Sequence, residues 1–258
     1  MATLHVLKVF VGKGGIGGNP LGVFLDGSEV PEPLRQEVAA DLGFSETVFV
    51  DDPDGVELRI FTPGTELPFA GHPLVGTAWL LTQEGTAPLL LRPPAGEVPV
   101  RIEDDLTFVS GRPEWAPPFE QIELVSPAEV DALEAPPDGH DLAGVWAWED
   151  QDAGYVRARV FAPRVGIEED EATGAHAVRL AARLSRRITI RQGKGSLIFA
   201  EPQPDGTVEI GGRTELVEGR KYKGGPLYGR DPENFGEHPS TVAVKGPGSA
   251  SRPSLFCL

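Results

Sequence analysis

The sequence predicts an α+β protein with two similar halves and a ligand site in the cleft between them. Short apolar segments rich in Val, Ile and Phe recur between turn residues, which indicates many short strands. The 32 glycines and 25 prolines among 258 residues exclude long helices and coiled coils. One segment is also echoed later in the chain, and such an echo indicates an internal duplication.

Ten segments carry the strand pattern, and their short spacing favours hairpins and meanders over parallel crossovers. They are 4–11, 58–61, 89–92, 98–102, 106–109, 145–148, 155–161, 188–191, 197–200 and 208–210.

Four segments predict helices. Apolar residues repeat at helical spacing over 34–42, and Gly43 supplies a stop signal. The segment 126–129 is a capping box with proline at the first helical position. The segment 72–81 is apolar on nearly every face, so we expect protein to surround it. The segment 177–184 has alanine and leucine on one face and arginine on the other.

The echo joins two strands and the segments that follow them. The sequence RIFTP at 59–63 is matched by RVFAP at 159–163, and each copy is followed by an acidic residue, a small-residue turn and a helix. This order predicts two similar halves, at 1–115 and 116–220, followed by a polar tail rich in Gly, Pro and Ser at 221–258.

Charge and cysteine content exclude several classes of function. With 23 Lys and Arg against 39 Asp and Glu, the net charge of −16 opposes binding to nucleic acid or to anionic membranes. Cys257 is the single cysteine, which excludes internal disulfides and cysteine-ligated zinc. No signal peptide or membrane-spanning run is present, so we expect a cytoplasmic protein. The five histidines are scattered, so we expect no metal site.

The glycine-rich segment 12–18 resembles a phosphate-binding loop only in part. Such a loop needs Lys and then Ser or Thr after its last glycine, whereas this chain has Asn19 and Pro20. Proline also lacks the N–H group that a phosphate cradle uses. A hairpin-like loop is the favoured interpretation, and nucleotide binding remains a third functional alternative.

Two predicted helix starts could together bind a carboxylate. They are Gly71-His72 and Thr173-Gly174-Ala175. A helix N-terminus offers free N–H groups and a partial positive charge, and glycine lets a ligand approach the backbone. If the halves face each other, the two starts converge on one anion-binding point. The alternative is that these residues are ordinary caps and turns.

Three side chains are candidates for acid–base chemistry. Glu46 is flanked by hydrophobic residues, and a carboxyl in apolar surroundings has a raised pKa suited to moving a C–H proton. His72 opens the buried helix, where nearby positive charge keeps an imidazole neutral. Asp170 lies in the acidic run 168–171. The alternatives are a surface glutamate, a buried structural histidine and one of four solvated acids.

Six segments of the chain carry motifs of a known family. They are VF…GNPLGV at 9–23, FSETVFV at 44–50, RIFTPGTELPFAGHPLVGTA at 59–78, RVFAP at 159–163, EDEATGA at 169–175 and RQG at 191–193. Through them the sequence resembles the PhzF-like isomerases of phenazine biosynthesis, which are relatives of diaminopimelate epimerase. The resemblance implies two halves, each a β-barrel-like sheet around a central helix, with the active site in the cleft. It also implies a homodimer and no cofactor or metal.

The resemblance implies a role for each candidate residue. Glu46 matches the glutamate that removes a proton beside an unsaturated system and redelivers it. His72 and Asp170 match residues that orient the substrate, and N–H groups at the two helix starts hold its carboxylate. The expected partner is therefore a small-molecule carboxylate.

The chain departs from this family and from its relatives at specific positions. The related epimerases and racemases use two facing cysteines, and this chain has none near either helix start. The family pattern Asp-Pro-x-Thr-Gly-Ser reads here with Glu171 in place of Pro and Ala175 in place of Ser. The missing hydroxyl favours the alternative of a non-catalytic small-ligand binder on the same scaffold.

Overall fold

Fifteen strands among the described residues join into one sheet. The computed structural model describes residues 2–224 except 53, 55 and 166, so the predicted tail lies outside the described residues from position 225 onward. The strands are β1 (Thr3–Val11), β2 (Asn19–Phe24), β3 (Glu46–Asp52), β4 (Glu57–Phe61), β5 (Glu66–Leu67), β6 (Leu90–Leu91), β7 (Val98–Glu103), β8 (Leu106–Gly111), β9 (Glu120–Glu123), β10 (Ala143–Asp150), β11 (Tyr155–Ala162), β12 (Ile167–Asp170), β13 (Ile188–Gln192), β14 (Ser196–Pro202) and β15 (Val208–Lys221).

Four α-helices accompany the sheet in this part of the chain. They are α1 (Glu32–Leu42), α2 (Gly71–Gln83), α3 (Pro127–Asp131) and α4 (Gly174–Leu184). All four predicted helices are therefore present, and the α+β class is confirmed. Of the helices in the described residues, none combines the length and apolar character needed to cross a membrane.

Local signals account for two helix ends. Gly43 ends α1 in the left-handed region, with φ of 67°, and its N–H donates to the carbonyl of Ala39. Ser126 caps α3 by accepting a hydrogen bond from the N–H of Glu129. Both ends therefore lie where the sequence predicts them.

The sheet is mixed rather than purely antiparallel. Its main path runs β5-β4-β3-β2-β1-β15-β14-β13-β11-β10-β9. The pairs β2–β3, β9–β10 and β11–β13 are parallel. The expectation of hairpins over crossovers is wrong at these pairs, because α1, α3 and α4 lie in the three connections and make each long enough for a crossover.

Strand β15 is much longer than the predicted segment 208–210. Its first part pairs with β14 and β8, and its second part pairs with β1. Tyr222 follows it, is buried, and donates a 2.6 Å hydrogen bond to Asp41. Strand β15 thus joins the strands around β1 to the strands around β14 in one sheet.

Both longer buried helices pack onto this sheet. Helix α2 contacts β1, β2, β8 and β15, and a Cβ at its Gly76 would lie 2.6 Å from Cδ2 of Leu21. Helix α4 packs against β14 and β15. Its arginines Arg179 and Arg183 point the other way and donate to backbone carbonyls. The sheet therefore fixes the starting points of α2 and α4.

The echoed segments make matching contacts. Arg59 in β4 pairs with Glu66 of the adjacent β5, and Arg159 in β11 pairs with Glu169 of the adjacent β12. Each strand is followed by the helix that the echo predicts, α2 or α4.

Candidate active site

The N-termini of α2 and α4 touch each other. A Cβ added to Gly71 would lie 2.9 Å from Cα of Gly174, and a Cβ added to Gly174 would lie 2.9 Å from Cα of Gly71. Real side chains do not tolerate such distances to backbone atoms, so this approach requires glycine at both positions. The two predicted helix starts are thus brought together.

Helix α2 directs two N–H groups to this point. Its first helical hydrogen bond runs from Leu74 to the carbonyl of Ala70, at 3.3 Å. The N–H groups of Gly71 and His72 precede that bond, and Pro73 has none to offer. They are available to an anion that also benefits from the helix dipole.

Helix α4 contributes in the same way. Its first helical hydrogen bond joins Ala177 to the carbonyl of Thr173, at 3.1 Å. The N–H groups of Gly174 and Ala175 therefore lie before the hydrogen-bonded part of the helix. Two helix ends meet at one point and can bind a carboxylate there without a basic side chain.

A pocket opens at the paired helix starts. All seven residues that the sequence singles out line it, namely Glu46, Gly71, His72, Asp170, Thr173, Gly174 and Ala175. Its lining joins apolar side chains to a few ionisable groups, which is typical of a small-molecule site.

Glu46 is the first residue of β3, and its carboxyl is largely enclosed. Its side chain is 14% exposed, and Oε2 lies 3.3 Å from Nε2 of His72. Neither atom has a hydrogen-bond partner among the described residues. Burial raises the pKa of Glu46 to about 7, and a hydrogen bond from Ser45 opposes the rise. Glu46 can therefore both accept and release a proton near neutral pH.

His72 is the second residue of α2 and is 4% exposed. Burial lowers its pKa to about 4, while the charge of Asp170 and a hydrogen bond to the carbonyl of Pro20 oppose that change. The imidazole is neutral at pH 7, so its contact with Glu46 is not an ion pair. It is suited to hydrogen bonding with a ligand.

Asp170 ends β12 beside the start of α4. Its carboxylate accepts hydrogen bonds from Nδ2 of Asn19 at 2.8 Å and from Oγ1 of Thr173 at 2.5 Å. Burial and the charge of Glu46 raise the pKa of Asp170, whereas His72 and the two hydrogen bonds oppose the rise. Asp170 is therefore held in one orientation inside the pocket rather than solvated with its acidic neighbours.

Two residues without a predicted role hold this arrangement. Asn19 is buried; its Nδ2 also donates to the carbonyl of Ala172 at 2.9 Å, and its Oδ1 accepts from Ser45 at 3.2 Å. Gln192 accepts from the N–H of Thr173 at 3.2 Å and donates to the carbonyl of Asp170 at 2.9 Å. Both lie in motifs of the sequence, GNPLGV and RQG, but these motifs do not show what the side chains contact.

The glycine-rich segment 12–18 connects β1 and β2 as a hairpin-like loop, as predicted. It packs against the turn between β13 and β14, where a Cβ at Gly12 would lie 2.0 Å from the oxygen of Gly195. The N–H of Gly18 donates to Oγ of Ser196 at 2.8 Å, and that hydroxyl donates to Oε1 of Glu171 at 2.8 Å. The loop is therefore joined to the segment beside Asp170.

His176 does not take the place of the missing serine hydroxyl. It is fully buried, with Nε2 3.0 Å from Oε1 of Gln121 and its ring against Gly144. Burial lowers its pKa to about 4. Among the residues that the structure describes, no three His, Cys, Asp or Glu side chains gather as metal ligands.

The chain is similar to known proteins in sequence and in fold. The profile of a family described as phenazine biosynthesis-like protein, PhzC-PhzF, matches residues 8–148. A trans-2,3-dihydro-3-hydroxyanthranilate isomerase of Pseudomonas aeruginosa is 32% identical over 275 residues, covering 90% of this chain and 91% of that protein. The enzyme of the same name from Pseudomonas fluorescens is 30% identical over similar coverage.

Solved structures show the same fold. A phenazine biosynthesis PhzC/PhzF protein from Clostridium difficile aligns with a TM-score of 0.70 at 21% identity, over 86% of this chain and all of that one. A hydroxyproline epimerase from Agrobacterium vitis aligns with a TM-score of 0.55 at 14% identity, over 85% and 90% of the two chains. From the profile match and the relatives of 30% identity or more, the chain belongs to the phenazine biosynthesis-like PhzC-PhzF family.

Proposed function

We propose that this protein is a cofactor-independent isomerase that moves a proton on a small unsaturated carboxylate. The observation that carries the proposal is Glu46, a buried carboxyl with a pKa of about 7 beside the paired helix starts. A general base works best when its pKa lies near the operating pH. The names of the relatives, which are isomerases of a hydroxyanthranilate, support the same class of reaction.

The substrate carboxylate binds where α2 and α4 meet. The N–H groups of Gly71 and His72 from one helix, and of Gly174 and Ala175 from the other, converge there. The N–H of Thr173 already donates to Gln192, so Thr173 contributes through its hydroxyl, which fixes Asp170. The helix dipoles also stabilise negative charge that builds up on the carboxylate during reaction.

Glu46 then carries the proton. Its carboxylate removes hydrogen from a carbon beside the unsaturated system, and the electron pair of that C–H bond moves into the conjugated system. Glu46 returns the proton to another carbon of the system, so the double bond shifts and the enzyme regains its carboxylate. Neutral His72 and the fixed Asp170 orient the substrate so that both carbons face this single acid–base group.

The test is Glu46→Gln, which keeps the shape of the side chain but removes the base. On a carboxylate that the wild-type protein isomerises in D₂O, we expect the rate of deuterium incorporation to fall by about 10²–10⁴. The matched control is Glu57→Gln, an exposed glutamate in β4, which should leave the rate unchanged. Full activity of Glu46→Gln would show that another group carries the proton.

Ala175 supports a second candidate, a non-catalytic binder of small carboxylates on the same scaffold. A binder would hold the carboxylate at the helix starts and incorporate no deuterium from solvent. Deuterium exchange into bound carboxylates therefore separates the two candidates.

We also propose a cytoplasmic homodimer with similar halves at 1–115 and 116–220; the family resemblance supports the homodimer, and the repeated segments support the halves. Light scattering should then give twice the chain mass of 27.6 kDa. A monomer mass at micromolar concentration would contradict this part of the proposal.

A further inference from the structure

One side of the pocket is lined only by hydrocarbon side chains, and the proposed mechanism does not use those side chains. Phe119, Val160 and Ala162 form an apolar cluster with Ile167 and Ala175 packed against it, and all five line the pocket. We call these five residues the apolar wall. None of their side chains has a hydrogen-bonding group.

The apolar wall is built before any ligand arrives. Phe119, Val160 and Ala162 are at most 7% exposed. Ile167 lies opposite Ala162 in the antiparallel pair β11–β12. The ring of Phe119 packs edge to face against buried His176, at 5.9 Å between centroids. A ligand group that enters here meets a fixed surface, which favours binding without reorganisation.

The charged groups in the pocket also discriminate between ligands of different charge. Its ionisable lining groups among the described residues are Glu46, His72 and Asp170, and no lysine or arginine lines it. The carboxylate at the helix starts is held by backbone groups alone. A second anionic group on the ligand would meet two acids and no cation, so it would be repelled.

We propose that the pocket selects unsaturated monocarboxylic acids whose carbon body carries an alkyl group against the apolar wall, and discriminates against a hydroxyl or a second carboxylate at that position. The inference rests on the proposed function only for the carboxylate at the helix starts. A hydroxyl there would lose its water and find no partner, whereas a methyl group would bury apolar surface. Ala175 extends the wall, so this residue controls the preference.

The experiment measures binding, not turnover. Cyclohex-1-ene-1-carboxylate and its 4-methyl, 4-hydroxy and 4-carboxy derivatives are titrated into the full chain by calorimetry at pH 8. We expect the methyl acid to bind about tenfold more tightly than the hydroxy acid, and the dicarboxylate to bind at least about tenfold more weakly than the parent acid. Ala175→Ser should lower the methyl-to-hydroxy ratio to about threefold or less. The control Ala182→Ser, on α4 outside the pocket lining, should leave the ratio unchanged.

Equal binding of the methyl and hydroxy acids would overturn the inference, as would no binding of any of the four or a ratio that Ala175→Ser leaves unchanged. Deuterium incorporation from D₂O is followed in parallel, so that the two proposals fail separately. Selective binding without exchange of hydrogen would refute the isomerase and keep the selectivity. Deuterium exchange into both the methyl and the hydroxy acid, with equal affinities for the two, would support the isomerase and refute the selectivity.

Discussion

The carboxyl oxygen Oε2 of Glu46 lies 3.3 Å from Nε2 of His72, and within the described residues neither atom has a hydrogen-bond partner. Two buried polar atoms at the edge of a pocket, each without a hydrogen-bond partner, are costly in a folded protein. A ligand bound in the pocket would give both atoms a hydrogen-bond partner, which is consistent with their proposed roles.

The first prediction concerns the pH dependence of activity. The pKa of Glu46 is about 7, and Glu46 must be ionised to remove a proton. The value of kcat/KM should therefore rise about tenfold per pH unit below 7 and become constant above it. His72, with a pKa of about 4, should add no inflection between pH 5 and 9. Initial rates at substrate concentrations below KM, measured across this pH range, give the profile. A value of kcat/KM that does not change with pH would contradict the role of Glu46.

The second prediction concerns stability. The folded state raises the pKa of Glu46 from 4.5 to about 7, so its ionised form is disfavoured in the folded protein. The resulting cost is absent below pH 4.5, grows as pH rises to 7 and reaches about 3 kcal/mol above it. Glu46→Gln should therefore raise the free energy of unfolding by up to that amount at pH 8 and change it little at pH 4.5. Urea unfolding at both pH values tests this, and equal effects at the two would refute it.

The third prediction concerns the contact between the helix starts. A Cβ at Gly71 would lie 2.5 Å from Cδ1 of Ile210 and 2.9 Å from the backbone of Gly174. Gly71→Ala should separate the two helix ends, lower the free energy of unfolding by about 1–3 kcal/mol and weaken carboxylate binding. Gly64→Ala is the control, because a Cβ there has open space and φ is not positive. Unfolding and calorimetric titration of both variants measure the difference. Wild-type binding by Gly71→Ala would show that the close contact is not needed.

The fourth prediction concerns Glu171, which occupies the proline position of the family pattern. Its carboxylate accepts from the N–H of Lys194 and the hydroxyl of Ser196, and Ser196 in turn holds Gly18. Glu171→Ala should free this loop and speed hydrogen exchange at the amide of Gly18 by about fivefold, since one hydrogen bond is worth about 1 kcal/mol. It should also lower activity, because Asn19 follows Gly18 directly.

The matched control is Glu168→Ala, an exposed acid in the same run. It should change neither exchange at Gly18 nor activity. Unchanged protection of Gly18 in Glu171→Ala would mean that packing of the glycines alone holds the loop.

Elements with a strong local pattern could be predicted, and elements formed by pairing could not. Helix α2 is recognisable because it is apolar on nearly every face, and β11 because it is a short segment rich in Val and Phe. Strand β12 is mostly acidic, a pattern that does not predict a strand; its pairing with β11 makes it one. Strand β15 continues through Gly211 and Gly212, which look like a stop signal. A Cβ at either position would collide with Phe108 or Phe10, so close packing explains these glycines.

In the candidate site, too, residues with a local sequence signal could be predicted and contacts between distant segments could not. Glu46 and the two helix starts have local signals, namely apolar neighbours and glycines before a helix, and the structure places them in one pocket. The hydrogen bond between Asn19 and Asp170 joins residues 151 positions apart. Nothing in the sequence near Asn19 indicates that contact, because it depends on how distant strands pair. The apolar wall likewise draws on separate segments and is visible only in three dimensions.

The contact between Gly71 and Gly174 has one more consequence. It presses together two helix ends of like partial charge, which repel each other as long as nothing lies between them. An anion at this point cancels the repulsion and gains attraction from both ends at once. At the proposed carboxylate site, part of the binding affinity therefore comes from relieving this repulsion, and a small monocarboxylate such as acetate should raise the melting temperature of the protein.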